Sequence, residues 1–523
     1  MALTDKSKAT FDFHEDEEGG QLRDSESLAQ LQKNPSTAVQ RIRELYAARV
    51  PGGLNENLCK HLHLIAQVLD SSESPSTAIW QALMKEGLFD VYRDMMVAPG
   101  FFEEKSELVI AVVNGLASLP QCCSDTEDVD FETVRYLLLG CPAIFEAIWK
   151  NRDRLKELDT SPFESAFEWC VFHWADMYQT FRNHTAGMET YIPHVSLYTW
   201  VHLHKPNGAS DMALAGMRFL SDRRHPLPEH TLERFTQVAV IDGIGGDILL
   251  ARFEDVLHEA FEPINLESLG SGDVLEALGV MSQLVKHPRM RALVQKRETF
   301  RHIVAYMDKY VHSSEMPGAR QRESAWTEWE MALFHFELIT EDLKKAFASK
   351  NMSHVTVRGE DIATFLARGT ELVSRGVPRD KSRQIAAALH LYGIWAKSPE
   401  WRRLCPSLTE SLVRGAQNEW IPTLKALDTG AYRQGMPERV YKDLTNAWRS
   451  FGTAMGLNES KERKRYANER QKFCSYSPCQ WSKKESDMPL LSCKGCGEAR
   501  YCGKECQRGD WKVHKKTCGD RLK

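Results

Sequence analysis

The sequence predicts an all-α body followed by a small, cysteine-rich segment at the C-terminal end. Between Pro35 and Asn468, apolar residues recur at intervals of three and four, and almost no stretch alternates apolar and polar residues as a strand does. By contrast, seven of the thirteen cysteines fall between Cys474 and Cys518. The body is therefore expected to fold by helix packing, and the C-terminal segment by another means.

Residues 1–30 are polar and acidic, and they include the run Glu15–Glu18 followed by two glycines. Such a segment has too little apolar surface to offset the entropy of ordering, so we predict that it is disordered.

Residues 31–437 are expected to form an α-helical scaffold, because several segments carry an apolar stripe typical of a buried helix face. Turn residues such as those at Gly243–Gly246 divide these helices, and Asp247 is the predicted N-cap of the helix that follows. The stripes include Phe300, Ile303, Val304, Met307, Tyr310 and Val311, then Ile362, Phe365, Leu366 and Val373, and finally Val440, Leu444, Trp448, Phe451 and Met455.

Two segments of the body share the pattern Lys-x-Pro-x-apolar-Arg-x-Leu, one at 286–293 and the other at 397–404. Each follows an apolar helical stretch. Stacked helical units in an armadillo- or HEAT-like array would explain the repetition. A globular helical bundle is the alternative.

Residues 438–473 are predicted to form one helix, from about Glu438 to Gln471, that carries the C-terminal segment as a semi-rigid stalk.

The segment 474–518 contains metal-ligand residues in four spaced pairs. Two to four intervening residues let a single turn offer two ligands to a tetrahedral Zn²⁺, so eight ligands predict two zinc ions. The pairs are Cys474 with Cys479, Cys493 with Cys496, Cys502 with Cys506, and His514 with Cys518. We assign the first and third pairs to one zinc and the second and fourth to the other; sequential pairing is the alternative.

Four protein ligands fill each predicted zinc site, which leaves no position for water or substrate and makes both ions structural. Structural zinc supplies on the order of 10–16 kcal/mol of apparent binding free energy in small fingers. A segment this short, with few large apolar side chains, cannot replace that by packing. We therefore expect it to be unfolded without metal.

The stretch Leu490–Cys518 resembles a MYND-type zinc finger, both in the spacing of its ligands after Cys493 and in its Tyr-Cys, Cys-Gln, Asp-Trp, His and Cys positions. It departs from the family's pattern at the first pair, where four residues separate Cys474 from Cys479 and two are usual. The whole arrangement, including Arg449-Ser-Phe-Gly, Gly456-Leu, Glu462, Tyr466 and Glu469 before Cys474, resembles fungal proteins that pair a helical body of undefined role with a terminal MYND finger.

This resemblance implies a protein-interaction module that, in some members, binds short proline-containing peptides beside the finger's helix. By position, the groove residues would be Gln507 and Trp511, which share one face of a helix predicted over about Lys504–Lys515. The alternative is that Trp511 fills the small core of the finger.

Nucleic-acid binding is the competing function. Residues 461–523 contain 17 Lys and Arg against 8 Asp and Glu, a formal charge of +9, which leaves −14 on the rest of the chain. Seven thiolates and two zinc ions reduce the tail to about +6, and aromatic residues for base stacking are few. A solvated basic face is the simpler interpretation.

An enzyme is not predicted. Some MYND fingers occur within SET-type lysine methyltransferases, which makes that class a second alternative, but no cofactor motif of that kind precedes the finger. The glycines at Gly243–Gly246 lack the order and the β-α-β surroundings of a nucleotide site.

The cysteine pattern predicts a reducing, intracellular location, in nucleus or cytoplasm, because the finger thiols must stay reduced to bind zinc. The first residues lack a secretory hydrophobic stretch, and no run approaches the roughly 18 apolar residues of a membrane span, so we expect a soluble protein. Lys461–Arg465 is a candidate nuclear-import signal.

Overall fold

The computed structural model describes most of the chain. The described residues are 33–53, 55–70, 77–124, 130–156, 161–182, 187–203, 210–220, 227–259, 272–312, 319–353, 355–376, 382–433, 436–476, 478–482, 484–515 and 518. The acidic segment 1–30 lies outside them.

The chain divides into two compact units, Met1–Gly245 and Gly246–Lys523. The division falls at Gly245, between a π-helix that ends at Ile244 and a helix that begins at Gly246, and it lies inside segment 31–437, which was predicted to be a single scaffold. Gly245 has a φ of 101°, a conformation that favours glycine. Helix α12 begins at Gly246, so Asp247 lies in its first turn and not before it, and the predicted cap is wrong.

The first unit is α-helical. Its helices are α1 (Pro35–Ala47), α2 (Glu56–Asp70), α3 (Thr77–Lys85), α4 (Leu88–Val97), α5 (Ser106–Ser124), α6 (Phe131–Lys150), α7 (Arg152–Leu155), α8 (Ser161–Arg182), α9 (Ile192–His202), α10 (Ser210–Ala213) and α11 (Glu229–Phe235), with 3₁₀ turns at Phe101–Glu103, Met188–Thr190 and Ala215–Leu220 and a π-helix at Thr236–Ile244.

Helix α5 is the central element of the first unit, packed on α2 and α8. The indole of Trp174 donates a hydrogen bond of 2.9 Å to the carbonyl of Leu116, and Gly115 lets the Tyr92 ring approach the α5 backbone. By length and composition alone, Ser106–Cys123 could span a membrane, contrary to the sequence analysis. Since 72% of that stretch is buried, it serves here as a core helix of the unit.

The second unit contains a helical part and the cysteine-rich segment. Its elements are α12 (Gly246–Glu259), α13 (Gly272–Leu284), α14 (Pro288–Lys296), α15 (Thr299–His312), α16 (Ala319–Ser349), α17 (Gly359–Ser374), α18 (Ser382–Lys397), α19 (Pro399–Leu404), α20 (Pro406–Arg433), α21 (Glu438–Ala454), α22 (Glu459–Arg470), β1 (Leu491–Ser492), β2 (Arg500–Tyr501) and α23 (Lys504–His514).

The predicted all-α body is confirmed, and the three apolar stripes lie on α15, α17 and α21, with Met455 directly after the last of these helices. All their residues are buried except Tyr310 and Val440, which are half-buried.

The sequence repeat is a repeat of local structure. Helices α14 and α19 each begin at the shared proline and carry the shared arginine in their first turn. The Nε of Arg291 donates to the Val285 carbonyl (3.5 Å), and the Nε of Arg402 donates to the Ala396 carbonyl (2.6 Å), six residues back in both cases. Each arginine thus ties its short helix to the end of the preceding one.

The predicted stalk helix is wrong, because two helices occupy its place. Helix α21 ends at Ala454, Gly456 follows with a φ of 82°, and Asn458 caps α22 by accepting from the Lys461 N–H. The left-handed residue stops the first helix, and the cap starts the second.

Neither helix projects as a stalk, because both pack on the helical part of the unit. Helix α21 packs on α18 and α20, and α22 packs on α20. The Trp420 indole donates to the Trp448 carbonyl (2.8 Å), and Gly452 leaves room for the Trp420 ring. On α22, Arg465 donates to the Gln417 carbonyl (2.6 Å). The cysteine-rich segment therefore follows a helix fixed to the body.

A cluster of charges joins α15, α17 and α20. Buried Arg368 bonds Asp308 (2.7 Å), Glu419 (2.6 Å) and Glu371. His312 contacts Asp308 (3.2 Å) and Glu371 (3.5 Å), and hydrogen bonds to these carboxylates raise the pKa of His312 to about 9. A buried cation paired on several sides holds these helices in one register, and removing it would leave its partners uncompensated.

This cluster predicts a pH-dependent contribution of His312 to stability. Because the folded pKa exceeds the unfolded one, the imidazolium stabilises the protein fully below about pH 6.5, and the effect is lost as the pH rises through about 9. Wild type should exceed His312→Gln in urea midpoint at about pH 6, and the two should converge near pH 10. The difference should be small, since the side chain is half exposed.

Circular dichroism in urea would measure both proteins, with His390→Gln, an exposed histidine on α18, as the matched control. A His312→Gln deficit that stays constant from acid to alkaline pH would contradict the assignment.

Candidate metal centre

A short hairpin and one helix form the frame of the cysteine-rich segment. Strands β1 and β2 are antiparallel, with Leu491 opposite Tyr501 and Ser492 opposite Arg500. Between them, the Cys493 N–H donates to the Ala499 carbonyl (2.8 Å), and Gly497, with a φ of 69°, donates back to the Cys493 carbonyl (2.8 Å). This tight turn brings Cys493 and Cys496 to the same side, as two ligands of one ion require.

The first ligand group consists of Cys474, Cys479, Cys502 and Cys506, whose sulfurs all lie within 4.8 Å of one another. Cys502 Sγ is 3.5 Å from Cys479 Sγ and 3.3 Å from Cys506 Sγ. The Cys474 N–H donates to the Trp481 carbonyl (2.8 Å), which fixes the long loop of the first pair.

The second ligand group consists of Cys493, Cys496, His514 and Cys518, again within 4.8 Å. Cys493 Sγ is 3.7 Å from Cys518 Sγ, and His514 Nε2 is 3.4 Å from Cys493 Sγ and 3.5 Å from Cys496 Sγ.

These separations fit zinc. Four ligands about 2.3 Å from one ion stand about 3.8 Å apart at the corners of a tetrahedron, whereas disulfide-bonded sulfurs are about 2.05 Å apart. All the cysteines in both groups are free. The residues present therefore suit two four-coordinate, structural Zn²⁺ ions.

The two groups have the composition of the interleaved assignment and not of sequential pairing. The first site combines the pair before the hairpin with the pair Cys502 and Cys506 after it, and the second combines the pair in the hairpin turn with the pair His514 and Cys518. The two chain loops that the ions close therefore overlap, and each ion restrains part of the loop closed by the other.

One thiol is prepared for metal binding by its backbone surroundings. Burial opposes ionisation of Cys493, but hydrogen bonds from the backbone N–H groups of Cys496 and Gly495, together with those from the His514 and Cys518 side chains, outweigh it, and the pKa of Cys493 falls to about 6. The thiolate is the form that binds a metal.

The interior between the sites is a tyrosine core and does not contain Trp511. Tyr501 is buried, and its hydroxyl donates to Asp510 Oδ2 (2.7 Å) on α23. Tyr476 lies where a side chain on Gly509 would stand, so only glycine lets the helix approach that ring. The family pattern includes Tyr501 and Asp510, but the sequence did not indicate that they bond to each other. No sequence signal pointed to the contact between Tyr476 and Gly509.

Trp511 lies on the outer side of α23. Its side chain is 46% exposed and contacts the His514 ring, with ring centroids 5.9 Å apart. Gln507, one turn earlier, is half-buried. The hypothesis that Trp511 fills the core is not supported by this placement, since Tyr501 and Tyr476 occupy that space.

Residues 479–518 match the family model of the MYND finger. The match covers seven of the eight ligands. It leaves out Cys474, which four residues separate from Cys479 where the family usually has two. The C-terminal segment is therefore a MYND zinc finger, a protein-interaction domain with Cys/His zinc sites.

The Cys474 position generates a prediction about metal content. Cys474→Ser should lower zinc from two ions per chain to one or none, because the first site would keep only three protein ligands. Zinc released by a thiol reagent can be quantified with a colorimetric chelator.

Cys405→Ser, a buried cysteine outside both groups, is the matched control and should retain two ions. Two zinc ions per chain in Cys474→Ser would show that the ligand set is wrong.

Proposed function

We propose that this protein is an adaptor whose MYND finger binds a proline-containing segment of a partner protein at the surface formed by Gln507 and Trp511. The zinc ions hold the finger's shape and take no part in chemistry. The helical body carries the finger and positions it for the partner.

The exposure of Trp511 is the observation that carries this proposal. A tryptophan that is 46% exposed leaves a large apolar ring in water, on a helix whose opposite side is occupied by Cys506 and Asp510. Covering such a ring releases water and is a common source of binding energy at interfaces.

The chemistry of the two side chains suits a proline-containing ligand. A segment in the polyproline II conformation presents proline rings and carbonyls that have no internal hydrogen bonds, and aromatic side chains pack against the rings. The Gln507 amide can donate a hydrogen bond to one of these carbonyls. Leu491 and Met488, also exposed, add apolar surface to the finger.

A non-catalytic role is consistent with the closed ligand sets, in which each zinc has four protein ligands. An intracellular location, in nucleus or cytoplasm, remains part of the proposal because oxidised thiols would not bind zinc.

Nucleic-acid binding is the alternative, supported by the +9 formal charge of residues 461–523. Salt separates the two functions, since phosphate contacts make affinity fall steeply with ionic strength, whereas burial of an indole is much less affected.

The proposal predicts the effect of removing the exposed ring. Trp511→Ala should weaken binding of a Pro-x-Leu-x-Pro peptide by at least about tenfold, the loss typical of an interface anchor, while zinc stays at two per chain. Fluorescence anisotropy of a labelled peptide on the full chain would measure this.

Glu505→Ala is the matched control on the same helix, because its exposed side chain points away from Gln507 and Trp511. Unchanged peptide affinity in Trp511→Ala with intact metal content would refute the groove.

A further inference from the structure

Four basic side chains form a stripe along the outer side of α23. Lys504, Arg508, Lys512 and Lys515 are all exposed. At about 100° per residue, they fall within an arc of about 80° on the helix and its first following residue. We refer to these four residues as the basic stripe.

The basic stripe borders the surface proposed to bind the peptide. The same geometry of about 100° per residue places Gln507 and Trp511 directly beside Lys504 on the helix circumference. The opposite side faces the finger's interior, where Cys506 binds metal and Asp510 accepts from the Tyr501 hydroxyl. A ligand lying over Trp511 would therefore have the stripe along one of its edges.

The stripe forms no ion pair with a carboxylate in the described part of the chain, unlike Arg463 and Arg465 of α22. On α22, Arg463 pairs with Glu459 (2.8 Å), and Arg465 pairs with Glu462 (2.6 Å) and Glu469 (2.6 Å). These two arginines are thus compensated by carboxylates of their own helix.

On α23 the two acidic residues do not compensate the stripe. Asp510 is engaged by Tyr501 on the inner side, and exposed Glu505 is one carboxylate against four cations. The stripe accordingly presents uncompensated positive charge to a ligand on the outer side of the helix.

We propose that the partner segment carries acidic residues next to its proline-containing core, with the core on Gln507 and Trp511 and the acidic residues along the basic stripe. This inference rests on the proposed function and specifies the chemistry of the partner. Complementary charge at the edge of an apolar contact accelerates association and rejects basic competitors more than it raises affinity. The acidic residues would thereby distinguish the partner from other proline-containing segments that lack them.

The test compares two peptides on the full, zinc-loaded chain: a neutral Pro-x-Leu-x-Pro peptide and the same peptide extended by three aspartates. The acidic peptide should bind roughly three- to tenfold more tightly at low salt, since each exposed pair contributes modestly. This advantage should largely disappear at about 0.5 M salt, where the screening length falls to a few ångströms.

Charge reversal identifies the stripe as the source of the advantage. In Arg508→Glu/Lys512→Glu, the ratio of acidic to neutral peptide affinity should fall to about one or below, and the milder Arg508→Gln/Lys512→Gln pair should lower it in the same direction. Lys461→Glu/Lys464→Glu on α22 changes the net charge equally at exposed positions outside the stripe and should keep the ratio. Zinc content verifies that each variant is folded.

The acidic-partner proposal and the proposed peptide binding can fail separately. If the neutral peptide binds through Trp511 but the added aspartates do not raise the affinity, the acidic-partner proposal is wrong and peptide binding at Gln507 and Trp511 is retained. If neither peptide binds, both are wrong. A single-stranded oligonucleotide of equal charge that binds more tightly than the acidic peptide, and loses affinity in the stripe variant, would overturn the inference in favour of a nucleic-acid partner.

Discussion

The finger depends on the convergence of eight side chains on two metal ions. Its interior consists of Tyr501, Ala499 and the ligand cysteines, with Tyr476 and Trp481 packed against them. Apolar burial on this scale cannot offset the entropy of ordering the chain, so metal coordination has to supply the difference. Every other feature of the finger, including the exposure of Trp511, requires that this coordination first fix the helix against the hairpin.

The helical part of the second unit is organised differently, by large buried aromatic rings and a few paired charges. Trp420 and Trp448 join three helices through indole-to-backbone and indole-to-hydroxyl bonds, the latter from Trp448 to Thr370 (2.9 Å). Arg368 on α17 adds ion pairs to Asp308 on α15 and Glu419 on α20, and these pairs require the three helices to keep their relative positions. Burial provides the stability of this part, and directional bonds provide its register.

The zinc ligands and the buried helix faces could be predicted from the sequence because both depend on the spacing of nearby residues. The ligands could be identified because Cys and His pairs with two to four intervening residues are typical of zinc sites. The apolar stripes could be placed because a helix repeats every 3.6 residues. The break at Gly456 was missed because a single glycine in a helical pattern is compatible with continuation as well as with termination. The orientation of Trp511 depends on Tyr501 and Tyr476 taking the interior, which spacing alone does not specify.

The order of the ligands along the chain has a mechanical consequence. Tension on the C-terminal end would reach Cys518 and His514 first and open the second site, which frees the turn holding Cys493 and Cys496. Pulling from the other end would open the first site through Cys474. Because the two ligand groups share no residue, tension from either end would open one site while the other still has all four of its ligands.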